Sequence, residues 1–150
     1  MSLSVPTKPR YGLRAMLDVA MHQREGEPVL LRDIAERQAI SERYLEHVVN
    51  SLRTGGLLKS VRGPKGGYYL TRPPSQISVM EIIRATAGSF QLVECVEEQG
   101  SCSRSTACAT RVFWGRLDEA MREVMENTTL EDLVKIQSEM GEEAGSMYYI

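Results

Sequence analysis

The chain has 150 residues, 42% hydrophobic and 25% charged, with a net charge of −2; that length buries roughly 70% of the unfolded surface, so neither disulfides nor metal are needed merely to fold. No run approaches the ~18 apolar residues of a membrane span, and Met1 to Arg10 lacks an apolar core ahead of a small-residue cleavage site, so a cytoplasmic protein is expected. Three cysteines, an odd number, argue against a disulfide framework and leave free thiols, metal ligands or redox sensors.

Taken in order, Pro6 and Pro9 are expected to keep the first residues extended. A helix over Tyr11 to Gln23 follows, with Leu13, Met16, Leu17 and Ala20 on one stripe; Gly26 and Pro28 end it. Arg10 and Arg14 at its start are candidates for phosphate contact. Leu31 to Gln38 places Leu31, Ile34 and Ala35 on one helical face, and a tight turn at Ala39-Ile40 leads to Ser41, whose hydroxyl can cap a second helix. In that helix Leu45, Val48, Val49 and Leu52 repeat at i, i+3, i+4, i+7, and Gly55-Gly56 stops it with a left-handed cap. Its outward face carries Arg43, Tyr44, Glu46, His47 and Asn50, side chains that reach base edges or phosphates.

Leu58 to Val61 and Tyr68 to Thr71 have strand composition, and the Arg62 to Gly67 tip between them is glycine-rich and doubly basic. Two helices, a turn and a basic hairpin in this order predict a mainly α fold: a winged helix-turn-helix with a two-stranded β-wing. The candidate DNA-binding set is Ser41, Arg43, Tyr44, Glu46, His47, Asn50, Arg62, Gly63, Lys65 and Gly66. A carboxylate facing DNA repels phosphate, so Glu46 is explained either by accepting a hydrogen bond from cytosine N4 or by an intrahelical pair with Arg43 or Asn50.

Beyond the wing, 72–76 is a stiff diproline connector, and Ser78 with Glu81 makes a capping box for a helix over Val79 to Ala87 with Val79, Ile82 and Ile83 inward. Ser89 to Thr106 has no sustained periodicity. Ala107 to Asn127 reads as the longest helix, with Phe113, Leu117, Ala120 and Val124 in one line and Trp114, Met121 and Met125 beside it. That surface is too wide for one small neighbour, and a second copy of the helix across a two-fold axis is the natural cover. Thr129 with Asp132 starts a short last helix through about Gln137, followed by an acidic tail ending in Met147 to Ile150.

The halves differ in charge: residues 1–72 hold 12 Lys/Arg against 7 Asp/Glu, for +5, and residues 73–150 hold 6 against 13, for −7. Such polarity suits one face for phosphate and another for something else; the expected division is a DNA-binding region, 1–72, and a sensor and dimerisation region, 73–150, within one compact domain. Cys95, Cys102 and Cys108 are close enough in one segment to turn toward one centre, and soft thiolates select iron–sulfur clusters or zinc. Zinc sites favour closer Cys-x-x-Cys pairs and four ligands, neither present here. No catalytic set emerges: both histidines lie in the DNA-binding half, away from any cysteine nucleophile, and the Gly63 to Gly67 turn precedes a strand, not the helix of a phosphate-binding loop.

Arg10-Tyr-Gly-Leu-Arg-Ala-Met-Leu-Asp-Val-Ala20, Asp33-Ile-Ala-Glu36, Ile40-Ser41, Tyr44-Leu-Glu46 and, most specifically, Val61-Arg-Gly-Pro-Lys-Gly-Gly-Tyr68 make the chain resemble, over nearly all its length, the Rrf-two family of bacterial transcription regulators. The resemblance implies a homodimer on a near-palindromic operator, crossed by a long dimerisation helix, here Ala107 to Asn127. It places Glu46 and Arg62 at positions associated with base and minor-groove readout, and a two-iron or four-iron cluster at the three cysteines. The chain departs from that pattern where IscR-like members place a histidine ligand, here Arg111, and where NsrR-like members place a carboxylate, here Arg10. The fourth ligand is thus unassigned among Glu94, Glu97, Glu98, a partner-subunit residue, water or a small molecule. Two other readings stand beside the cluster-regulated one: a CymR-like, cluster-free regulator governed by a partner protein or small ligand, and a metal-stabilised interaction module that does not touch DNA.

Overall fold

The structure, a computed structural model, describes residues 4–98, 100–104 and 106–147. Helix α1 spans Thr7–His22, four residues earlier than the periodicity indicates, and contains Pro9. Proline belongs there because the first four N–H groups of a helix have no intrahelical partner, so its missing donor costs nothing. Helices α2 (Leu31–Gln38) and α3 (Glu42–Thr54) follow the predicted bounds closely. Ala39 adopts φ 52° between them, and Ser41 Oγ accepts from the Tyr44 N–H at 3.3 Å. The positive φ after α3 falls on Gly56, not Gly55.

The wing pairs β1 (Leu58–Val61) antiparallel with β2 (Gly67–Leu70), in the register Leu58 to Leu70 and Val61 to Gly67. The second strand starts one residue earlier than composition suggests. A Cβ on Gly67 would lie 2.4 Å from the Val29 carbonyl oxygen, and the missing side chain lets Val29 and Tyr68 exchange backbone hydrogen bonds of 3.0 and 2.8 Å. The wing is thereby stitched along its inner edge to the segment entering α2.

A 3-10 turn, Pro74–Gln76, leads to α4 (Val79–Ala87), which carries both hydrogen bonds of the Ser78/Glu81 capping box. Met80 takes the buried position expected of Val79, which is only half-buried. One helical turn, α5 (Glu94–Glu97), interrupts the cysteine segment. Helix α6 spans Ala109–Asn127; it starts two residues later than predicted because Cys108, at φ −112° and ψ 108°, is still extended. Helix α7 (Leu130–Met147) begins at the Thr129/Asp132 pair and runs well past Gln137. An interior glycine costs about 1 kcal/mol relative to alanine, and the strong helix formers around Gly141 and Gly145 offset it. The rest of the expected tail, 148–150, lies outside the described residues.

One core joins these elements. Ala15, Met16 and Val19 of α1, Ile34 and Ala35 of α2, and Leu45, Val48, Val49 and Leu52 of α3 pack with Leu58 and Leu70 of the wing, Ile77, Ile82 and Leu130. Helix α6 contributes nothing apolar to it: Asp118 is its buried residue, while Val112, Phe113 and Val124 are more than half exposed. Of the predicted apolar line on α6, Phe113, Ala120 and Val124 thus face out and Leu117 is half-buried.

Candidate nucleic-acid interface and cysteine loop

Burying Leu45, Val48, Val49 and Leu52 turns the opposite face of α3 to solvent, where Arg43, Glu46, His47 and Asn50 are exposed. The Glu46 side chain has no hydrogen bond or ion pair among the described residues, so the expected alternative of a pair with Arg43 or Asn50 is not what occupies it. Asn50 instead accepts from Arg53 Nη2 at 2.9 Å, and Arg53 Nη1 reaches Ser60 Oγ of the wing at 3.4 Å. Tyr44 is half-buried and edge-on to Tyr11 at 5.6 Å, which leaves its rim available and its ring anchored.

The wing tip is a tight turn in which Gly66 N–H donates to the Gly63 carbonyl at 2.9 Å and Gly63 takes φ 113°. Arg62 and Lys65 are exposed on it. Between tip, α3 and the start of α2 lies a cleft of about 610 Å³ lined by Arg32, Arg53, Ser60, Arg62 and Gly66. Arg32 and Arg53 are absent from the sequence-derived set; the signal that points to Arg53 is its place one turn beyond Asn50 on the same face.

Arg14, a candidate for phosphate contact, ties α1 to the end of α2: its Nε donates to Gln38 Oε1 at 3.2 Å and its Nη2 to the Gln38 carbonyl. Beneath it Asp18, with its side chain fully buried, accepts from Arg37 through both oxygens at 2.7 to 3.2 Å and from Gln38 Nε2 at 2.9 Å. The hydrogen bond to Asp18 raises the Arg37 pKa further above its ordinary range, against a smaller opposing effect of burial. Arg10 donates to Thr7 Oγ1 at 3.3 Å.

All three thiols are free. Cys95 lies in α5 and Cys108 at the cap position of α6, both half-buried, whereas Cys102 is exposed between them. The hydrogen bond with Thr110 Oγ1 at 3.1 Å, then the Arg111 backbone N–H, holds the Cys108 thiol below the ordinary thiol range. The donor set suits a soft metal centre in kind and number, three thiols on one segment with no disulfide. Its arrangement is not yet a closed site, since among the described residues no three His, Cys, Asp or Glu side chains are grouped to hold a metal. Glu97, one expected fourth ligand, is paired with Arg122, and Arg111 donates to the Cys95 carbonyl at 2.6 Å.

Residues 5–136 match the profile of Rrf2, described as an iron-dependent transcriptional regulator. The chain belongs to the Rrf2 family. It is 44% identical over 135 residues to the HTH-type transcriptional regulator IscR of Xenorhabdus nematophila, covering 90% of this chain and 81% of that one. It is also 40% identical over 148 residues to CymR of Bacillus subtilis, covering 99% and 100%. A solved structure of CymR, described as the global cysteine regulator of B. subtilis, superimposes with a TM-score of 0.76 at 39% identity over 90% of this chain and 98% of that one. The Rrf2 chain is accordingly a winged-helix transcriptional regulator. Among its described residues no helix is long and apolar enough to cross a membrane.

Proposed function

We propose that the chain is a homodimeric, DNA-binding regulator whose operator affinity is set at Cys95, Cys102 and Cys108 by an iron–sulfur cluster. The observation that carries the reading is the placement of the three free thiols on the segment that runs directly into α6. In this reading α3 enters a major groove, Glu46 accepts from a base, and Arg62 and Lys65 meet phosphate or the adjacent groove. Helix α6 pairs with its copy through Phe113, Ala120 and Val124, which are exposed among the described residues, and the half-buried Met125.

The cysteines would hold the cluster, and an incompletely protein-ligated cluster supplies a labile centre suited to sensing oxygen, nitric oxide or iron supply. The chain's own part is geometric: the way the 89–108 segment is fastened sets the start of α6, and α6 sets the separation of two recognition helices that must match grooves roughly 34 Å apart. Operator binding by the wild type and by Cys102→Ala, each with and without ferrous iron and sulfide, tests it: the wild type changes affinity on loading and the variant does not, and a wild type with equal affinity in both states, or a variant that responds as the wild type does, overturns the role of the cysteines.

A second reading, control by a partner protein or small ligand without a cluster, is favoured by the full-length match to CymR and by the ungrouped thiols. A colourless protein after anaerobic purification, with no iron or sulfide, selects it.

A further inference from the structure

The segment between α4 and α6 is fastened by one stripe of α6. Arg111, Asp118 and Arg122 stand at i, i+7 and i+11, on the same helical face. Arg111 Nε donates to the Cys95 carbonyl at 2.6 Å, while Arg122 Nη2 donates to the Phe90 carbonyl at 2.9 Å and pairs with Glu97. Arg122 Nε donates to Asp118 Oδ2 at 2.6 Å. Asp118 is 5% exposed, and its Oδ1 has no partner among the described residues.

A carboxylate with a bare buried oxygen is costly, and here it adds nothing to the apolar core. What it does is aim a guanidinium. Held through Nε, Arg122 presents its remaining donors to a main-chain carbonyl 32 residues earlier and to Glu97, 25 residues earlier. Arg111 has the same effect one turn into α6: it lies three residues after Cys108 and ties down the backbone of Cys95. The first and third cysteines are thus drawn to one end of α6, whereas Cys102 lies outside both fastenings and is exposed.

We propose that Arg111 and Arg122 are positioning residues for the cysteine site, keeping the Glu94–Glu97 turn, and Cys95 with it, against α6, so that Cys102 is the member that travels when the three thiols come together. The assignment rests on reading the three cysteines as one site, but its test does not. Reduced, cluster-free protein is alkylated with iodoacetamide and each cysteine followed by mass spectrometry.

In the wild type Cys95 reacts more slowly than Cys102. In Arg122→Gln and in Arg111→Gln the Cys95 rate rises about tenfold, the change in local opening expected when a charge-assisted hydrogen bond is lost, and Cys102 is unchanged. Arg122→Lys, which keeps the charge but not three simultaneous contacts, falls between. Unchanged Cys95 rates, or Cys95 and Cys102 rising together as in general loosening, overturn the assignment. Anaerobic loading with ferrous iron and sulfide adds a second readout: iron bound per chain falls in both Gln variants, and loading equal to wild type refutes the positioning role. If the wild type itself takes up no iron, the reading of the cysteines as a cluster site fails, while the alkylation contrast still decides the fastening.

Discussion

The buried Asp18 joins α1 to the end of α2, and its loss can be predicted with a sign and an order. Removing one member of a fully buried ion pair costs about 3–5 kcal/mol, chiefly from the charge left behind. The members differ here: the Asp18 side chain is 0% exposed and the Arg37 side chain 35%. In Asp18→Asn the orphan is Arg37, which turns to water, and the cost falls to about 2 kcal/mol. In Arg37→Met the orphan is Asp18, left with Gln38 and His22, and the cost stays near 3 kcal/mol. For a chain of this size these values lower Tm by roughly 4–12 °C. Urea unfolding of both single variants and the double variant measures the order and the coupling. The double variant costs less than the sum of the singles, because the second substitution removes the stranded group. A larger loss in Asp18→Asn than in Arg37→Met, or strict additivity, refutes the reasoning.

Three further outcomes follow from particular contacts. Gly67→Ala places a Cβ against the backbone of Val29, so the stitch between wing and α2 opens; operator affinity and Tm both fall, and a crystal structure with the Val29–Tyr68 bonds intact contradicts this. Burial raises the Glu81 pKa, but the Ser78 backbone N–H and Arg72 outweigh it and hold it below the ordinary value. Its contribution is therefore present above about pH 4.3, the unfolded value, and is lost as pH falls through the lower folded value; Glu81→Gln removes that share of the acid dependence in urea titrations from pH 7 to pH 3. In the proposed homodimer, Val124→Arg puts a charge in the outward apolar line of α6 and is expected to convert dimer to monomer in sedimentation equilibrium; an unchanged association constant excludes α6 as the interface.

The stretch from α2 through α4 was the more legible in sequence because its signals are local. Ser41, the Ser78/Glu81 box and the four-residue repeat in α3 each act within a turn or two of chain, and the described helices begin where those residues indicate. Pro9 misled because proline breaks helices only beyond their first turn, and where the turn begins depends on what α1 packs against. The end of α7 misled because two glycines and an acidic run resemble a tail, although the intervening residues favour helix. In the cysteine segment the decisive bonds join residues 16 to 32 apart, and no periodicity reports them. Asp118 and Arg122, an opposite-charge pair at i, i+4 inside an apolar stripe, were the one local hint.

The junction of α4, α6 and α7 has a mechanical consequence. Val79 N–H donates to the Thr128 carbonyl and Leu130 N–H to the Ile77 carbonyl, so the C-terminal end of α6 is riveted to the base of α4. With 19 residues, α6 is a beam roughly 28 Å long, pivoted at Thr128 and loaded at its Cys108 tip. A tilt of about 5° swings that tip by ~2.5 Å, a leverage that turns a small rearrangement around the thiols into a change of angle at the far end.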